Sequence, residues 1–565
     1  MNTQMLDPIT LEILWNRLIA VVNEQAAALM RTSFTTIVRE SGDLSAGVFD
    51  TRGNMIAQAV TGTPGHINAM ATCIHHFMAV YPAEELVAGD VLITNDPQKT
   101  SGHLHDFTVI TPIFQDDRLV GFFGNTCHAL DIGGRGMGTD ARSVYEEGLF
   151  VPITKLYSAG QENSELFKLI AANSRAPEPV IGDIRAQVVA NDVGGQFLLQ
   201  FMEEFGLQSV DPLADEIIER SERAMREAIA RLPDGEYSNA VFSDGYESPV
   251  ELKVTLRKQG DEILVDWAGS SPESAYGINV VLNYTHAYTT YALKCALAPE
   301  VPNNEGSFRP VKVTAPEGCI LNAQHPAPVC GRHILGHFLP GAIFGALAEA
   351  LPQRVLAEGA ANIWSTQLSG RRDDGSVWTY VWFSTGGTGA RPTKDGISAT
   401  AFPSGISGVP AEVIESLAPI HIYRREYRRD SGGPGKYRGG LGQTMEIGVT
   451  TGQPYTFSSL FDRTHYPAAG YGGGESGALA HIELNDGTII DSKGAREFGP
   501  DTRVSLGLPG GGGFYAPETR DTRLVADDVF DGLVSIEQAA ERYGVVIDPE
   551  TLDVDEKSSA DLRAR

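Results

Sequence analysis

Two short segments of the chain carry the side chains best suited to chemistry. SGHLHD (101–106) and TCHALD (126–131) together supply three histidines and two aspartates. Imidazole nitrogens and carboxylate oxygens are ligands that zinc, manganese and iron accept in proteins, and residue type alone does not choose among these metals. The two segments therefore predict a divalent-metal site built on His103, Asp106 and His128.

The strands between these segments determine how closely the ligands approach. FTVITPIF (107–114) and LVGFFGNT (119–126) are apolar runs separated by the polar sequence QDDR, which predicts a β-hairpin. If the two aspartates form a two-residue turn, Asp106 lies opposite Cys127, and a shift of one residue places it opposite His128. In both registers the hairpin returns His128 to the His-x-x-Asp motif. A lone motif of this kind is commonly a loop hydrogen bond, so a structural role also stays open.

A fourth ligand and a general base are indicated less clearly. Glu40 and Asp43 lie in RESGD, just before the first predicted hairpin. Their spacing fits metal ligation and fits equally a turn with a local salt bridge. His66, His105 and Glu147 are each possible general bases, and His66 could instead cap or pack against the helix that follows it.

One arginine outside these segments is also a candidate. Arg332 stands in CGRH, before an apolar helical stretch. A guanidinium in this place could contact an anionic substrate, or it could pair at the surface or at an interface. The sequence does not choose between these roles.

The elements around the motifs suggest how they are held. Asp7 and Pro8 begin an N-terminal helix with apolar residues at helical spacing. LSAGVFD and MIAQAV form an early hairpin, a second helix covers 67–81, and VLITN is a buried strand. The later expected elements are helices over 160–232, strands VELKVTLR and EILVDWAG, helices near 284–298 and 338–352, glycine-rich strands over 360–525, and a polar tail over 535–565 with one short helix.

These elements predict an α+β fold in a large, intertwined multidomain protein. Antiparallel hairpins lie near the metal site, and the C-terminal half is rich in glycine and strands. The expected parts are a metal-site region (1–160), a mainly helical segment (161–235), a mixed α/β region (236–360), a glycine-rich β region (361–530) and a polar C-terminal tail (531–565).

Composition narrows the classes of partner. The 565 residues carry a net charge of −28, so phosphate-rich partners would be repelled, and we expect neither nucleic acid nor a membrane as partner. The N-terminus lacks the pattern of a signal peptide, and no apolar run is long enough to span a bilayer. We therefore expect a cytoplasmic protein. The five scattered cysteines form no CxxC pair and are expected to be buried free thiols.

Two glycine-dense runs invite a nucleotide-binding interpretation. They are GGPGKYRGGLG (432–442) and GLPGGGGFYAP (507–517). Neither fits a P-loop, because Tyr437 follows Lys436 and Phe514 follows the four glycines. Neither opens an amphipathic helix as a dinucleotide fingerprint would. The runs therefore predict tight turns between strands, and we recognise no ATP site in this chain.

The ordered motifs resemble the hydantoinase B/oxoprolinase family over nearly the whole length. The family contains B-type subunits of ATP-dependent hydantoinases and caprolactamase, the C-terminal half of oxoprolinases, and the alpha-type subunit of acetone and acetophenone carboxylases. The motifs that carry the resemblance are DPITLEILWNRL, RESGDLSAGVFD, NDPQKTSGHLHDFTVITPIF, CHALDIGG, EEGLFVPITKL, GGPGKYRGGLGQ and GGGGFYAPETRD.

The resemblance implies a ligand set. His103, Asp106 and His128 match residues that hold a divalent metal in the family, and Asp43 is favoured over Glu40 as the acidic ligand. One departure is visible. Many members read N-D-P-Y-x-G-G-T-H-L-P-D, whereas here Thr-Ser-Gly (100–102) replaces G-G-T and a histidine replaces the proline. The substrate therefore cannot be carried over.

The resemblance also implies a division of labour within a hetero-oligomer. A separate A-type nucleotide-binding subunit would use ATP and magnesium to phosphorylate a carbonyl oxygen of a small cyclic amide. A water activated by the metal of this chain would then attack the carbonyl carbon. The leading function is thus an ATP-dependent cyclic-amide hydrolase. The alternatives are the alpha-type subunit of a ketone carboxylase and a non-catalytic scaffold with a structural metal.

Overall fold

The computed structural model describes residues 7–60, 62–361 and 363–564 of the chain. These residues form two units, and each draws on separate stretches of sequence. Unit 1 comprises the chain up to Tyr237, Val254–Arg332 and Ser404–Ser407, and unit 2 comprises Ser238–Lys253, His333–Pro403 and the chain from Gly408 onward. The fold is intertwined, as the sequence predicted, and the division into five parts stays a prediction.

Helices and strands are both abundant, and the sheets are mostly antiparallel, which confirms the predicted α+β class. The helices are α1 (Pro8–Thr32), α2 (Thr36–Arg39), α3 (Pro64–Val80), α4 (Val144–Glu147), α5 (Ser164–Asn173), α6 (Pro177–Glu204), α7 (Asp211–Ala230), α8 (Leu282–Leu297), α9 (Arg332–Gly336), α10 (Leu339–Leu347), α11 (Ala411–Leu417), α12 (Thr522–Phe530), α13 (Ile536–Tyr543) and α14 (Glu556–Arg563). The strands are β1 (Leu44–Phe49), β2 (Met55–Gln58), β3 (Val91–Thr94), β4 (Asp106–Gln115), β5 (Arg118–His128), β6 (Thr154–Ser158), β7 (Gln161–Glu162), β8 (Gly235–Ser243), β9 (Val250–Gln259), β10 (Glu262–Asp266), β11 (Val311–Thr314), β12 (Ile363–Arg371), β13 (Val377–Thr385), β14 (Ile420–Tyr427), β15 (Gln443–Val449), β16 (Tyr455–Leu460), β17 (His481–Leu484), β18 (Lys493–Phe498) and β19 (Val504–Gly507).

Unit 1 is built on a seven-stranded antiparallel sheet in the order β2–β1–β5–β4–β3–β6–β7. Successive side chains of a strand point to opposite faces of the sheet. Val48 and Phe123 therefore pack with α1 and α6 on one face, whereas Phe49 and Phe122 pack with α3 on the other. Because both faces are covered, the strands read in the sequence as continuous apolar runs.

β4 and β5 form the predicted hairpin, and a bulge sets its register. Gln115 pairs with Arg118, so Asp116 and Asp117 form a two-residue turn. An extra residue of β5, Val120, then shifts the pairing by one position, so that Asp106 pairs with His128 and not with Cys127. Of the two registers considered from the sequence, the second is confirmed.

Buried amide side chains fix this hairpin under α1 and α6. Asn191 of α6 accepts hydrogen bonds from Gln25 Nε2 and Asn125 Nδ2, each at 2.7 Å. Gln187 donates to Asn125 Oδ1 and to the carbonyl oxygen of Phe107, both at 2.8 Å. Because buried amides without partners are costly, the network favours one alignment of the hairpin against the helices.

Unit 2 contains two four-stranded antiparallel sheets, β13–β12–β16–β18 and β14–β15–β19–β17. Side chains of both sheets meet in one hydrophobic core. Trp364 and Phe457 come from the first sheet, and Ile447 and Leu506 come from the second. The predicted strand-rich C-terminal half is confirmed.

Of the two glycine-dense runs, 507–517 is extended and mostly buried, so its prediction as a turn was wrong, whereas 432–442 bends near Gly432, Gly435 and Lys436 between two strands. The N–H groups of residues 510, 511 and 512 donate hydrogen bonds to three different neighbouring segments. The N–H group of residue 513 donates to the same segment as that of residue 510. The acceptors are, in order, the carbonyl oxygens of Ala478, Gly440, Glu358 and Glu475. This three-residue repeat is that of a polyproline II helix. Close packing of backbones explains the glycines, because a Cβ on Gly511 would lie 2.0 Å from the carbonyl oxygen of Thr388.

The C-terminal region is more structured than the predicted tail with one short helix. It contains α12, α13 and α14, and a small hydrophobic core joins α12, α13 and the segment after α13. Asp528 of α12 also accepts hydrogen bonds from the buried Arg438 and Arg520. The polar composition concealed this fold because few apolar residues suffice for so small a core.

All five cysteines are free thiols, as predicted, and four of them are buried. In the part of the chain that the structure describes, no helix combines the length and apolar character needed to cross a bilayer.

Candidate metal centre

Three buried side chains meet where β4 begins and β5 ends. His103 lies in the turn before β4, Asp106 is the first residue of β4, and His128 is the last of β5. His103 Nε2 is 2.8 Å from Asp106 Oδ1, and His128 Nδ1 is 3.0 Å from the same oxygen. One potential ligand atom of each residue lies within 4.8 Å of the others. The hairpin therefore brings together the three residues that the sequence singled out.

The protonation states of this group suit a cation. Burial, followed by the charge of Arg332, lowers the pKa of His103 to about 3. Burial alone would raise the pKa of Asp106, but His103, His66 and Arg332 hold it well below its usual range. At neutral pH, Asp106 is a carboxylate and His103 is a neutral imidazole, whose lone pair is available to a metal.

The donor atoms also fit a metal. His103 Nε2 is buried and makes no aligned hydrogen bond, although Asp106 Oδ1 is only 2.8 Å away. A buried polar atom left without a hydrogen bond costs about 1–3 kcal/mol. Two imidazoles and a carboxylate that converge in this way are ligands for zinc, manganese or iron. The residues therefore fit a divalent cation, and the choice among these metals stays a prediction.

The second oxygen of Asp106 faces a different set of donors. Oδ2 accepts hydrogen bonds from Arg332 Nη2 at 2.6 Å and from Ser101 Oγ at 2.7 Å, and His66 Nε2 lies 2.9 Å away. Arg332 is buried, so the surface pairing considered from the sequence is wrong. The carboxylate thus separates the two imidazoles from a group of hydrogen-bond donors.

Asp43 lies at the edge of this arrangement. Its Oδ1 accepts a hydrogen bond from Thr63 Oγ1 at 3.2 Å and lies 3.8 Å from His66 Nδ1. It does not fall within the group formed by the three ligand candidates. Glu40 instead pairs with Arg39 at 3.0 Å, the local salt bridge considered from the sequence. Asp43 as fourth ligand stays a prediction, and its position favours it over Glu40.

His66 connects the two carboxylates. It lies in the first turn of α3, which begins three residues before the predicted helix start, and is buried. Burial lowers the pKa of His66, but the charges of Asp106 and Asp43 outweigh this effect and raise it overall. His66 is therefore suited to holding a proton between these carboxylates.

His105 stands beside the three ligand candidates. Its ring centroid is 5.5 Å from that of His128 and 5.4 Å from that of His103. Burial lowers the pKa of His105 well below its usual value. Nδ1 lies 3.8 Å from Cys330 Sγ, and Nε2 is buried without a hydrogen bond. His105 is thus a neutral imidazole next to the candidate ligands, and its role as a general base stays a prediction.

Glu147 supports the backbone behind the site. Its Oε1 accepts hydrogen bonds from the N–H groups of Val329 and Cys330 at 2.6 and 2.7 Å. The carbonyl oxygen of Cys330 in turn lies 2.9 Å from His103 Nδ1. Burial raises the pKa of Glu147 to about 8. These contacts give Glu147 a positioning role, and its role as a base stays a prediction.

Replacing Glu147 with glutamine should change the pH dependence of stability. The folded chain keeps the Glu147 proton up to about pH 8, whereas the unfolded chain releases it near 4.5. The contribution of Glu147 to the free energy of unfolding is therefore greatest at low pH and declines as pH rises through this window. Between pH 5 and pH 8.5, urea denaturation should show the wild type losing about 3 kcal/mol more than E147Q.

A matched control is the neighbouring Glu146→Gln. Glu146 is partly exposed and pairs with Arg135 at the surface. E146Q should follow the wild-type pH profile. An E147Q profile that also coincides with the wild type would show that Glu147 is already ionised at neutral pH.

Two residues of the site were not singled out from the sequence. Ser101 lies inside the SGHLHD motif, but a serine beside stronger ligand types carries no distinct signal in the sequence. Tyr284 lies in α8, and its ring centroid is 4.4 Å from the guanidinium carbon of Arg332. Its only sequence signal was its place in a predicted helix, which does not indicate a partner far away in the chain.

The chain can now be placed among known proteins. Residues 7–517 match the family model described as Hydantoinase B/oxoprolinase, and the chain belongs to this family. It is 32% identical to the B-type subunit of a putative D-/L-hydantoinase of Pseudomonas sp. (strain NS671), covering 99% of this chain and 98% of the relative. It is 31% identical to the beta chain of the caprolactamase of Pseudomonas jessenii, covering 97% of both chains.

Two solved structures share the fold. A chain of the ATP-dependent caprolactamase from Pseudomonas jessenii superposes with a TM-score of 0.91 at 28% identity, covering 100% of both chains. A chain of nucleotide-free acetone carboxylase gives a TM-score of 0.89 at 20% identity, covering 99% of this chain and 82% of that one. The second likeness concerns the fold alone.

Proposed function

We propose that this chain is the metal-holding subunit of an ATP-dependent cyclic-amide hydrolase of the hydantoinase/oxoprolinase type. The observation that carries the proposal is the buried group of His103, Asp106 and His128, whose ligand atoms converge on adjacent strand ends. Family membership gives this group its context. The relatives named as subunits of a hydantoinase and of a caprolactamase match this chain along nearly their entire lengths.

The residues divide the chemistry among themselves. A bound zinc, manganese or iron ion would supply positive charge that polarises a carbonyl group or lowers the pKa of a water. Asp106, His128 and the neutral imidazole of His103 would hold this ion, with Asp43 as the candidate fourth ligand. His105, whose buried Nε2 has no hydrogen-bond partner, is our candidate for the general base, and His66 is suited to holding a proton.

The activation step is assigned to a second polypeptide. An amide nitrogen is a poor leaving group, so a phosphorylated carbonyl oxygen would make the ring carbon a better electrophile. We assign this phosphorylation, with ATP and magnesium, to an A-type partner subunit in a hetero-oligomer. The naming of two relatives as subunits supports a partner.

Ring opening by the reconstituted complex tests this function. The chain, combined with the A-type polypeptide, should open hydantoin, 5-oxoproline or caprolactam in an ATP-dependent manner, measured as ADP and ring-opened product. His103→Ala should lose bound metal and at least ~100-fold in rate, because a removed ligand weakens the site more than a changed supporting residue does. The control His75→Gln alters an exposed histidine of α3 and should retain both properties.

The other outcomes separate the alternatives. Carboxylation of a ketone without ring opening would replace the hydrolase by the carboxylase alternative. Loss of metal with full retention of activity in H103A would leave only a structural role for the metal. Wild-type protein that binds no divalent ion would overturn the metal-holding function itself.

A further inference from the structure

We propose that Arg332 is a positioning residue that fixes the Asp106 carboxylate so that only Oδ1 faces the ligand histidines, and that Tyr284 holds Arg332 in place. This inference rests on the proposed metal-holding function. It assigns a task to two side chains that do not themselves belong to the group of ligand atoms. The contacts of Asp106, of Arg332 and of Tyr284 carry it in three steps.

The first step is the division of the Asp106 carboxylate. Oδ1 lies within 3.0 Å of one nitrogen from each of His103 and His128. Oδ2 lies within hydrogen-bonding distance of Arg332, His66 and Ser101. An oxygen with three such neighbours is not free to turn toward the histidines, so one oxygen alone remains available on the ligand side.

The second step is the fixed geometry of the Arg332 guanidinium. Nη2 donates to Asp106 Oδ2, and Nε donates to the carbonyl oxygen of Ser101 at 2.8 Å. The planar guanidinium joins these two acceptors in one rigid fork, which a lysine ammonium cannot reproduce. Arg332 is 4% exposed, so its charge is little screened by water and neutralises much of the Asp106 charge.

The third step is the support beneath Arg332. The guanidinium carbon lies 4.4 Å from the centroid of the Tyr284 ring, which is a cation–π contact. A Cβ on Gly65 would lie 2.3 Å from the Tyr284 ring, and one on Gly102 would lie 3.1 Å from the Cβ of Tyr284. The absence of side chains on these two glycines therefore leaves space for the Tyr284 ring. The ring in turn supports the Arg332 guanidinium that packs against its face.

Metal affinity should therefore depend on Arg332 and Tyr284, although neither residue is itself a candidate ligand. Without the Arg332 guanidinium, the Asp106 carboxylate can rotate and present both oxygens to the metal. Its negative charge is also no longer neutralised by Arg332. Supporting residues of this type typically change metal affinity by about 10–100-fold when they are replaced. A residue needed only for folding would change stability but not the coordination of the metal.

The test compares R332M, R332K and the control R309M, which alters a partly exposed arginine of the same unit that pairs with Glu222. Zinc affinity is measured by competition with a chromophoric chelator, and coordination by the visible spectrum of the cobalt(II)-substituted protein. We expect ~10–100-fold weaker zinc binding and an altered cobalt spectrum in R332M. R332K should recover part of both, and R309M should match the wild type.

Wild-type zinc affinity and an unchanged cobalt spectrum in both Arg332 variants would overturn the positioning role while leaving the proposed function intact. Absence of metal binding in the wild type would instead overturn the proposed function and this inference with it. If R332M does not fold, R332K and Y284L decide the question by the same two measurements. Y284L keeps the arginine but removes the ring beneath it, so unchanged affinity and spectrum there would equally contradict the proposal.

Discussion

Asp106→Asn should abolish stable metal binding and with it the activity of the reconstituted complex. The amide removes the only negative charge among the three ligand candidates, so metal affinity should fall by more than ~100-fold, the upper range for changes behind a ligand. It also leaves Arg332 as a buried charge without its carboxylate partner at 2.6 Å. Breaking a buried ion pair costs about 3–5 kcal/mol, so the free energy of unfolding should fall by that amount.

A double variant distinguishes these two effects. D106N/R332M removes both members of the ion pair, so part of the lost stability should return while metal binding stays absent. The control Asp117→Asn lies in the exposed turn at the far end of the same hairpin and should leave both properties unchanged. Metal content by elemental analysis and urea denaturation provide the two measurements. Metal binding by D106N at wild-type affinity would remove Asp106 from the ligand set.

Local periodicity in the sequence predicted much of the scaffold. The hairpin of β4 and β5 follows from two apolar runs and a polar turn, and the N-terminal helix follows from Asp7, Pro8 and a regular apolar spacing. The convergence of Asp106 with His128 was predictable because a hairpin restores proximity at a known separation. The bulge at Val120 was not predictable, since it leaves no mark in an unbroken apolar run.

Contacts between distant segments explain most of what the sequence did not predict. Arg332 lies 226 residues after Asp106, and no periodic pattern connects an arginine before one helix to an aspartate at the start of a strand. The same holds for Tyr284 beneath Arg332. The proximity of His103, Asp106 and His128 was predictable because these residues are close in the sequence, whereas Arg332 and Tyr284 reach them only in the folded unit.

The glycine runs show a different limit. Turn prediction assumes that glycine is present for its backbone freedom, but Gly511 shows no positive φ and is required by the backbone that lies against it. Sequence alone cannot separate these two causes, because both produce the same residue. In unit 2, the close contact between Gly511 and the backbone of Thr388 identifies packing as the cause.

Gly511→Ala should therefore strongly destabilise unit 2. Its Cβ would lie 2.0 Å from the carbonyl oxygen and 2.3 Å from the carbonyl carbon of Thr388, both backbone atoms that cannot rotate away. The chain would have to separate segments joined by hydrogen bonds from Gly511 to Gly440 and from Gly433 to Gly511. Overpacking typically costs about 1–3 kcal/mol, and we expect the upper end of this range because the backbone itself must move.

The matched control is Gly499→Ala, in the same unit, where an added Cβ meets no atom within 4 Å. Its φ is not in the left-handed region either, so G499A should unfold at the wild-type urea concentration or slightly above it, because alanine restricts the unfolded chain. G511A should unfold at a clearly lower concentration or fail to accumulate as folded protein. Equal urea midpoints for G511A and G499A would mean that the glycine segments of unit 2 can move apart without loss of stability. Close backbone packing would then not explain why glycine occupies these positions.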